Sequence, residues 1–131
     1  MDAKRLSELS LFQGLDDEAL ATLSRTVQEV SVSEDSVLVR EGDYSYDLSI
    51  IDEGEAVVER GDNGDVIARL GPGDVFGESG VLHKDQRGAT VRARTPMRLI
   101  TLTNWDLRRL RSSIPELGER LESLSAQRGS A

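Results

Sequence analysis

The sequence predicts a mainly β fold, a compact antiparallel barrel or jelly roll flanked by helices, and three observations predict it. Seven short β-prone pieces crowd into about 75 residues after residue 28. Turn chemistries separate them: EGD, DEG, GDNG and GPGD. Helical periodicity is confined to the two ends of the chain, so strands do not alternate with helices as they do in βαβ units.

The elements follow in order. Residues 3 to 12 (AKRLSELSLF) place Leu6, Leu9 and Phe12 near helical spacing, and Gly14 ends that pattern. Asp16 is placed to cap a second helix whose acidic first turn, Asp17 and Glu18, suits the positive end of the helix dipole. Leu15 can staple onto Leu20, and Leu20, Leu23 and Val27 form one apolar face. The strand candidates are VQEVSV, SVLVR, DLSIID, EAVVER, DVIARL, ATVRAR and MRLITL. Asn63-Gly64, within GDNGD, suits a hairpin with two positive φ angles. Gly71-Pro72-Gly73-Asp74 is a turn that delivers Val75-Phe76 into the core.

Helical period returns after residue 103, with Thr103 or Asn104 as cap and Trp105, Leu107 and Leu110 following. Ser113-Ile114-Pro115-Glu116 reads as a capping box with proline in the first turn. The helix it opens carries Leu117, Leu121 and Leu124 in a narrow stripe. Trp105 and this stripe are expected in the core; the stripe also suits a dimer seam, giving a homodimer through the C-terminal helices, or a lid.

Composition bounds the function. The 131 residues suffice for one domain, residues 1–131, and the chain is 37% hydrophobic and 31% charged, as a globular protein is. No apolar run is long enough to span a membrane, and MDAKRLSELSLF lacks the apolar stretch of a signal peptide. The absence of cysteine leaves no disulfide framework and fits a cytoplasmic location. Net charge is −8, unevenly spread: residues 1–83 hold 6 Lys and Arg against 19 Asp and Glu, and residues 84–131 hold 10 against 5. An acidic first part disfavours membrane-surface and nucleic-acid roles, which need a basic face. The basic C-terminal third suits an anion, or simply complements the acidic part. Arg108, Arg109 and Arg111 read as a solvated helix face.

Catalysis and metal binding find no support. His83 is the only histidine, so neither a multi-histidine metal site nor a Ser/His/Asp triad can be assembled, and His83 is expected in a surface loop. No cofactor is expected.

One stretch stands apart: GDVFGESGVLHKDQRGATVRA, residues 73 to 93. After Phe76, Gly77 releases the backbone and residues 78 to 82 leave room for one helical turn, whose free N–H groups attract an anion. Arg87 supplies a planar, permanently charged fork for phosphate oxygens, and Gly88-Ala89 allow close approach to the backbone. Glu78 would repel phosphate but accept a hydroxyl. One acid seeking a donor and one base seeking a phosphate describe a sugar phosphate.

The run F-G-E-x-x-x-L…R-x-A-T-V, here Phe76-Gly77-Glu78, Leu82 and Arg87-Gly88-Ala89-Thr90-Val91, resembles the phosphate-binding cassette of cyclic nucleotide-binding domains. LFQGLDDEALATLS, REGD at 40–43, the GPGD turn and the trailing helices extend the resemblance over most of the chain. It implies an eight-stranded antiparallel β-roll, with N-terminal helices over about residues 3–26, the roll over 28–103 with its cassette at 76–91, and hinge and lid helices over 104–126. It also implies roles. Arg87, with backbone around Gly80, Gly88 and Ala89, would hold the cyclic phosphate. Glu78 would accept the ribose 2′-OH, with Gly77 and Ser79 beside it. Val58, Ile67, Ala68 and Thr90 would line the base side. The C-terminal helices would move toward the roll when ligand binds.

Departures from the family pattern are Ser79 and Gly80, where a larger apolar residue and an alanine are usual, and Gln86, where proline is frequent. An extra glycine loosens the turn by roughly 0.5–1 kcal/mol relative to alanine. Gly88 lacks the hydroxyl that cGMP-preferring members often carry, which leans toward cAMP. The expected function is a regulatory module without chemistry of its own, binding cAMP in preference to cGMP and signalling to a fused or separate effector. The alternative is a degenerate member without ligand that acts as a protein-interaction module.

Overall fold

A computed structural model describes residues 1–43, 47–77 and 87–128, with the side chains of 125–128 excepted. Two short N-terminal elements come first, α1 (Ala3–Ser7) and a 3₁₀ turn (Ser10–Phe12), then α2 (Asp17–Thr26). Among the described residues eight strands follow: β1 (Gln28–Val32), β2 (Val37–Val39), β3 (Leu48–Glu53), β4 (Ala56–Arg60), β5 (Asp65–Leu70), β6 (Val75–Phe76), β7 (Thr90–Ala93) and β8 (Met97–Leu102). Helices α3 (Asn104–Ser113) and α4 (Pro115–Arg128) close the chain.

The strands form two antiparallel four-stranded sheets, ordered β1-β8-β3-β6 and β2-β7-β4-β5. Alternation along β3 and β8 explains how the layers stack. Leu48, Ile50, Ile100 and Leu102 point one way, into a core shared with Leu6, Phe12, Leu23, Leu107, Leu117 and Leu121 of the helices. Ile51, Met97 and Leu99 point the other way and meet Val39, Val58, Val91 and Ala93 of the second sheet. The inner strands β8 and β3 of the first sheet are therefore covered on both faces, while edge strand β1 is largely exposed, and the layers run helices, sheet, sheet. Each fully buried Leu, Ile or Phe contributes about 1.5–3 kcal/mol relative to exposure.

Local chemistry fixes the helix starts. Asp16 caps α2 by accepting from the Ala19 N–H at 2.8 Å, and Thr103 caps α3 by accepting from the Asp106 N–H at 3.2 Å. Arg5 of α1 pairs with Asp52 of β3, which pins the N-terminal helix to the roll and raises the Arg5 pKa.

Four sequence expectations are corrected, and a fifth holds. The helix over 3–12 is broken at Leu9, whose extended backbone separates α1 from the 3₁₀ turn; this turns Leu11 and Phe12 inward together. Asn63 does not take a positive φ: the four residues 61–64 join the Arg60↔Asp65 pair, Gly61 and Gly64 take the positive angles, and the Gly64 N–H bonds the Gly61 carbonyl at 3.0 Å. Ser113 does not open a capping box, because α3 runs through it and its hydroxyl donates back to the Arg109 carbonyl at 3.2 Å. Trp105 is not in the core: it is 71% exposed, with the Arg108 guanidinium 5.7 Å from its ring centroid. Leu117 and Leu121 of the stripe are fully buried in the core, with Leu124 packed against it, as the sequence led us to expect.

Candidate functional site

The candidate site is built around one buried cation. Arg87 enters just before β7 and is only 3% exposed. Burying an arginine requires that its fork be hydrogen-bonded, since an unpaired charge in a low-dielectric interior is costly. Its Nη1 donates to the Gly77 carbonyl and its Nη2 to the Asp47 carbonyl, each at 2.9 Å. Its own backbone is clamped as well, the N–H donating to the Asp43 carbonyl at 2.9 Å and the carbonyl accepting from the Gly42 N–H at 2.8 Å. Two segments thus orient the guanidinium and a third fixes the backbone that carries it.

Gly77 is the other end of this arrangement. Its φ is +91°, and a Cβ placed there would lie 2.5 Å from the Asp47 carbonyl oxygen and 3.1 and 3.2 Å from the Arg87 amino nitrogens. Only glycine lets β6 leave the sheet this close to Arg87. Gly77 follows Val75-Phe76, which pair with Ile50 and Ser49 of β3, so the sheet itself aims Gly77 at the arginine.

The structure places the remaining predicted residues as follows. Ala89 is fully buried, Gly88 and Thr90 are half-buried, and the Gly88 carbonyl accepts from Arg60 Nε at 3.1 Å. Thr90 Oγ1 accepts from the Glu41 N–H at 3.0 Å. Val58 is buried in the roll, opposite Ala68 on β5 and Val91 on β7. Ala68 is exposed, and so is Ile67, at 49%. The β4–β5 register steps from Val58↔Ala68 to Glu59↔Val66, so Ile67 is the extra residue of a bulge, a device that bends a strand and re-aims its side chains. Glu78, Ser79, Gly80 and His83 lie outside the described residues.

Sequence reasoning missed the support around Arg87: the Asp47 carbonyl, Glu41 and Arg60. The carbonyl leaves no trace in sequence, because any residue offers one. REGD at 40–43 was the available signal for the loop, without its purpose.

No group of three or more His, Cys, Asp or Glu that could hold a metal occurs among the described residues. A cleft of about 320 Å³ between the 3₁₀ turn, the β5–β6 turn and α4, lined by Leu11, Asp74, Val75, Arg120 and Leu124, contains none of the predicted site residues.

Residues 29–113 match the family described as "Cyclic nucleotide-binding domain". The chain belongs to that family. This cyclic nucleotide-binding domain is 32% identical over 105 residues to the cAMP-dependent protein kinase regulatory subunit of Schizosaccharomyces pombe, a match covering 80% of this chain and 25% of the relative. Among solved structures it is similar to the catabolite activator protein of Thermus thermophilus, with a TM-score of 0.79 and 28% identity over 90% of this chain and 57% of that one. It is also similar to the regulatory domain of Toxoplasma gondii PKA co-crystallised with cAMP, with a TM-score of 0.73 and 31% identity over 82% of this chain and 42% of that one. The domain therefore spans a quarter of the fungal relative's length. The family is typically regulatory rather than catalytic, and among the described residues no helix is long and apolar enough to cross a membrane.

Proposed function

We propose that this cyclic nucleotide-binding domain is a sensor of a cyclic purine mononucleotide, with cAMP preferred over cGMP, and that it has no chemistry of its own. The observation that carries the reading is Arg87, a buried guanidinium held by the Gly77 and Asp47 carbonyls at the exit of the cassette. A planar fork fixed in advance loses little freedom when it meets a phosphate, which is the benefit of preorganisation. In this reading Arg87 takes the cyclic phosphate together with backbone at Gly80, Gly88 and Ala89. Glu78 takes the ribose hydroxyl, flanked by Gly77 and Ser79. The purine lies toward Val58, Ile67, Ala68 and Thr90. The exposed Ile67 on its bulge supports that last assignment, because a bound base would cover apolar surface now in water. The preference for cAMP rests on the names of the relatives and on Gly88, which offers no hydroxyl to a guanine.

The output is a displacement of α3 and α4 that a fused or separate effector reads. Leu107, Leu117 and Leu121 pack these helices on the same sheet that sends β6 into Gly77, which supports a mechanical connection between site and helices.

Calorimetric titration with cAMP and cGMP tests the binding, and the emission of Trp105, the chain's one tryptophan, tests the movement. Saturable heat with cAMP bound more tightly, accompanied by a change in Trp105 emission, is the expected result. No heat with either nucleotide at millimolar concentration favours the interaction-module reading.

A further inference from the structure

The β4–β7 ladder ends at Glu59↔Thr90. Beyond that pair the two chains part, one into the hairpin tip at Arg60-Gly61 and the other back toward Arg87. Side chains take over where the ladder stops. Arg60 Nε donates to the Gly88 carbonyl at 3.1 Å, and the Gly61 N–H donates to the Glu41 carboxylate at 3.0 Å. Glu41 also donates its own N–H to Thr90 Oγ1 at 3.0 Å. One peptide further on, Gly42 and Asp43 clamp the backbone of Arg87 from both sides.

Glu41 therefore stands between two parts of the site. Its carboxylate holds the β4–β5 hairpin, which carries Val58, Ile67 and Ala68. Its peptide leads directly into the clamp on Arg87. A side-chain oxygen that accepts a backbone N–H fixes distance as well as contact. We infer that Glu41 is a positioning residue that locks the base side of the site to its phosphate side, so that ligand is held by both at one spacing. The inference rests on the ligand-site reading given above.

Two consequences distinguish this role from that of an ordinary loop acid. Glu41 is exposed, so removing its carboxylate creates no buried unpaired group and leaves global stability in place. Its loss removes one of the two side-chain ties between hairpin and Arg87 segment, leaving Arg60 on the Gly88 carbonyl as the other, and loosens the Arg87 backbone at a distance from the deleted atoms. Glutamine keeps an oxygen that can accept from the Gly61 N–H, so Glu41→Gln should preserve the lock where Glu41→Ala does not.

The experiment measures cAMP affinity and dissociation rate for the wild type, Glu41→Ala, Glu41→Gln and Arg87→Ala, with amide exchange followed at Gly61 and Arg87. In Glu41→Ala the affinity should fall about 5-fold, mostly through faster dissociation, the scale of one ordinary solvent-exposed hydrogen bond. Amide exchange should accelerate at both Gly61 and Arg87 while the unfolding midpoint stays put, and Glu41→Gln should remain within about 2-fold of wild type. Exchange that accelerates at Gly61 alone overturns the inference, as does a Glu41→Ala variant that binds like wild type. A Glu41→Gln variant as weak as Glu41→Ala overturns it too, since charge and not the lock would then be responsible. Failure of the underlying reading is separate: it would be seen as Arg87→Ala binding cAMP as tightly as wild type.

Discussion

Replacing Gly77 by alanine is a perturbation whose cost can be worked from the geometry. Two terms contribute. At φ +91° an L-residue sits outside its favoured backbone regions, which costs about 1–2 kcal/mol. The new methyl also meets the Asp47 carbonyl oxygen at 2.5 Å and the Arg87 amino nitrogens at 3.1 and 3.2 Å. Something must yield, and forcing a methyl into a packed site costs about 1–3 kcal/mol. Gly73 separates the terms: its φ is +88°, yet a Cβ there meets nothing within 4 Å. Gly73→Ala should therefore show the strain alone, about 1–2 kcal/mol, and Gly77→Ala the strain plus the collision, about 2–5 kcal/mol. Equilibrium urea unfolding of both variants measures the difference. Because the displaced carbonyl is the one that holds Arg87 Nη2, Gly77→Ala should also weaken cAMP binding while Gly73→Ala should not. Equal stability losses in the two variants would refute the claim that Gly77 is required by its closeness to Asp47 and Arg87.

Arg87→Ala should weaken cAMP binding by about 2–5 kcal/mol, as when one partner of a buried charge pair is removed, measured by calorimetry. Thr103→Ala should cost about 1 kcal/mol by loss of the α3 cap, whereas Ser113→Ala, which removes a hydroxyl that caps nothing, should stay within about 0.5 kcal/mol, both read from denaturant curves. Leu121→Ala should cost about 2–5 kcal/mol without changing oligomeric state, because the side chain is fully buried in its own chain's core; sedimentation together with unfolding checks both halves.

Much of the fold was legible because its signals are local. The strands announced themselves by β-branched runs between turn residues, and Asp16 and Thr103 by their place before an apolar period. What was hidden depends on contacts distant in sequence. Leu9 has helical spacing, but the chain must turn there to bury both Leu11 and Phe12. Trp105 looks apolar in a window, yet α3 turns Leu107 and Leu110 inward and leaves the indole in water beside Arg108. The leucine stripe was visible, but its partner was not: the first β-sheet and the N-terminal helices cover it. Around the site, Arg87 and Gly77 were readable from residue type and order. The carbonyls of Asp47 and Gly77 that orient Arg87 were not, since backbone acceptors carry no sequence signature. Glu41 was unreadable for a related reason, because its partner Gly61 is a backbone N–H twenty residues away.

In the proposed function a cyclic nucleotide binds at Arg87. A ¹⁵N-correlated NMR titration with cAMP, including the arginine side-chain region, tests it most directly. The largest shifts should fall on the backbone of Gly77, Gly88, Ala89 and Thr90 and on the Arg87 guanidinium, with smaller shifts carried into α3 and α4. Shifts centred instead on the cleft between Leu11 and Leu124, with Arg87 unmoved, would contradict it.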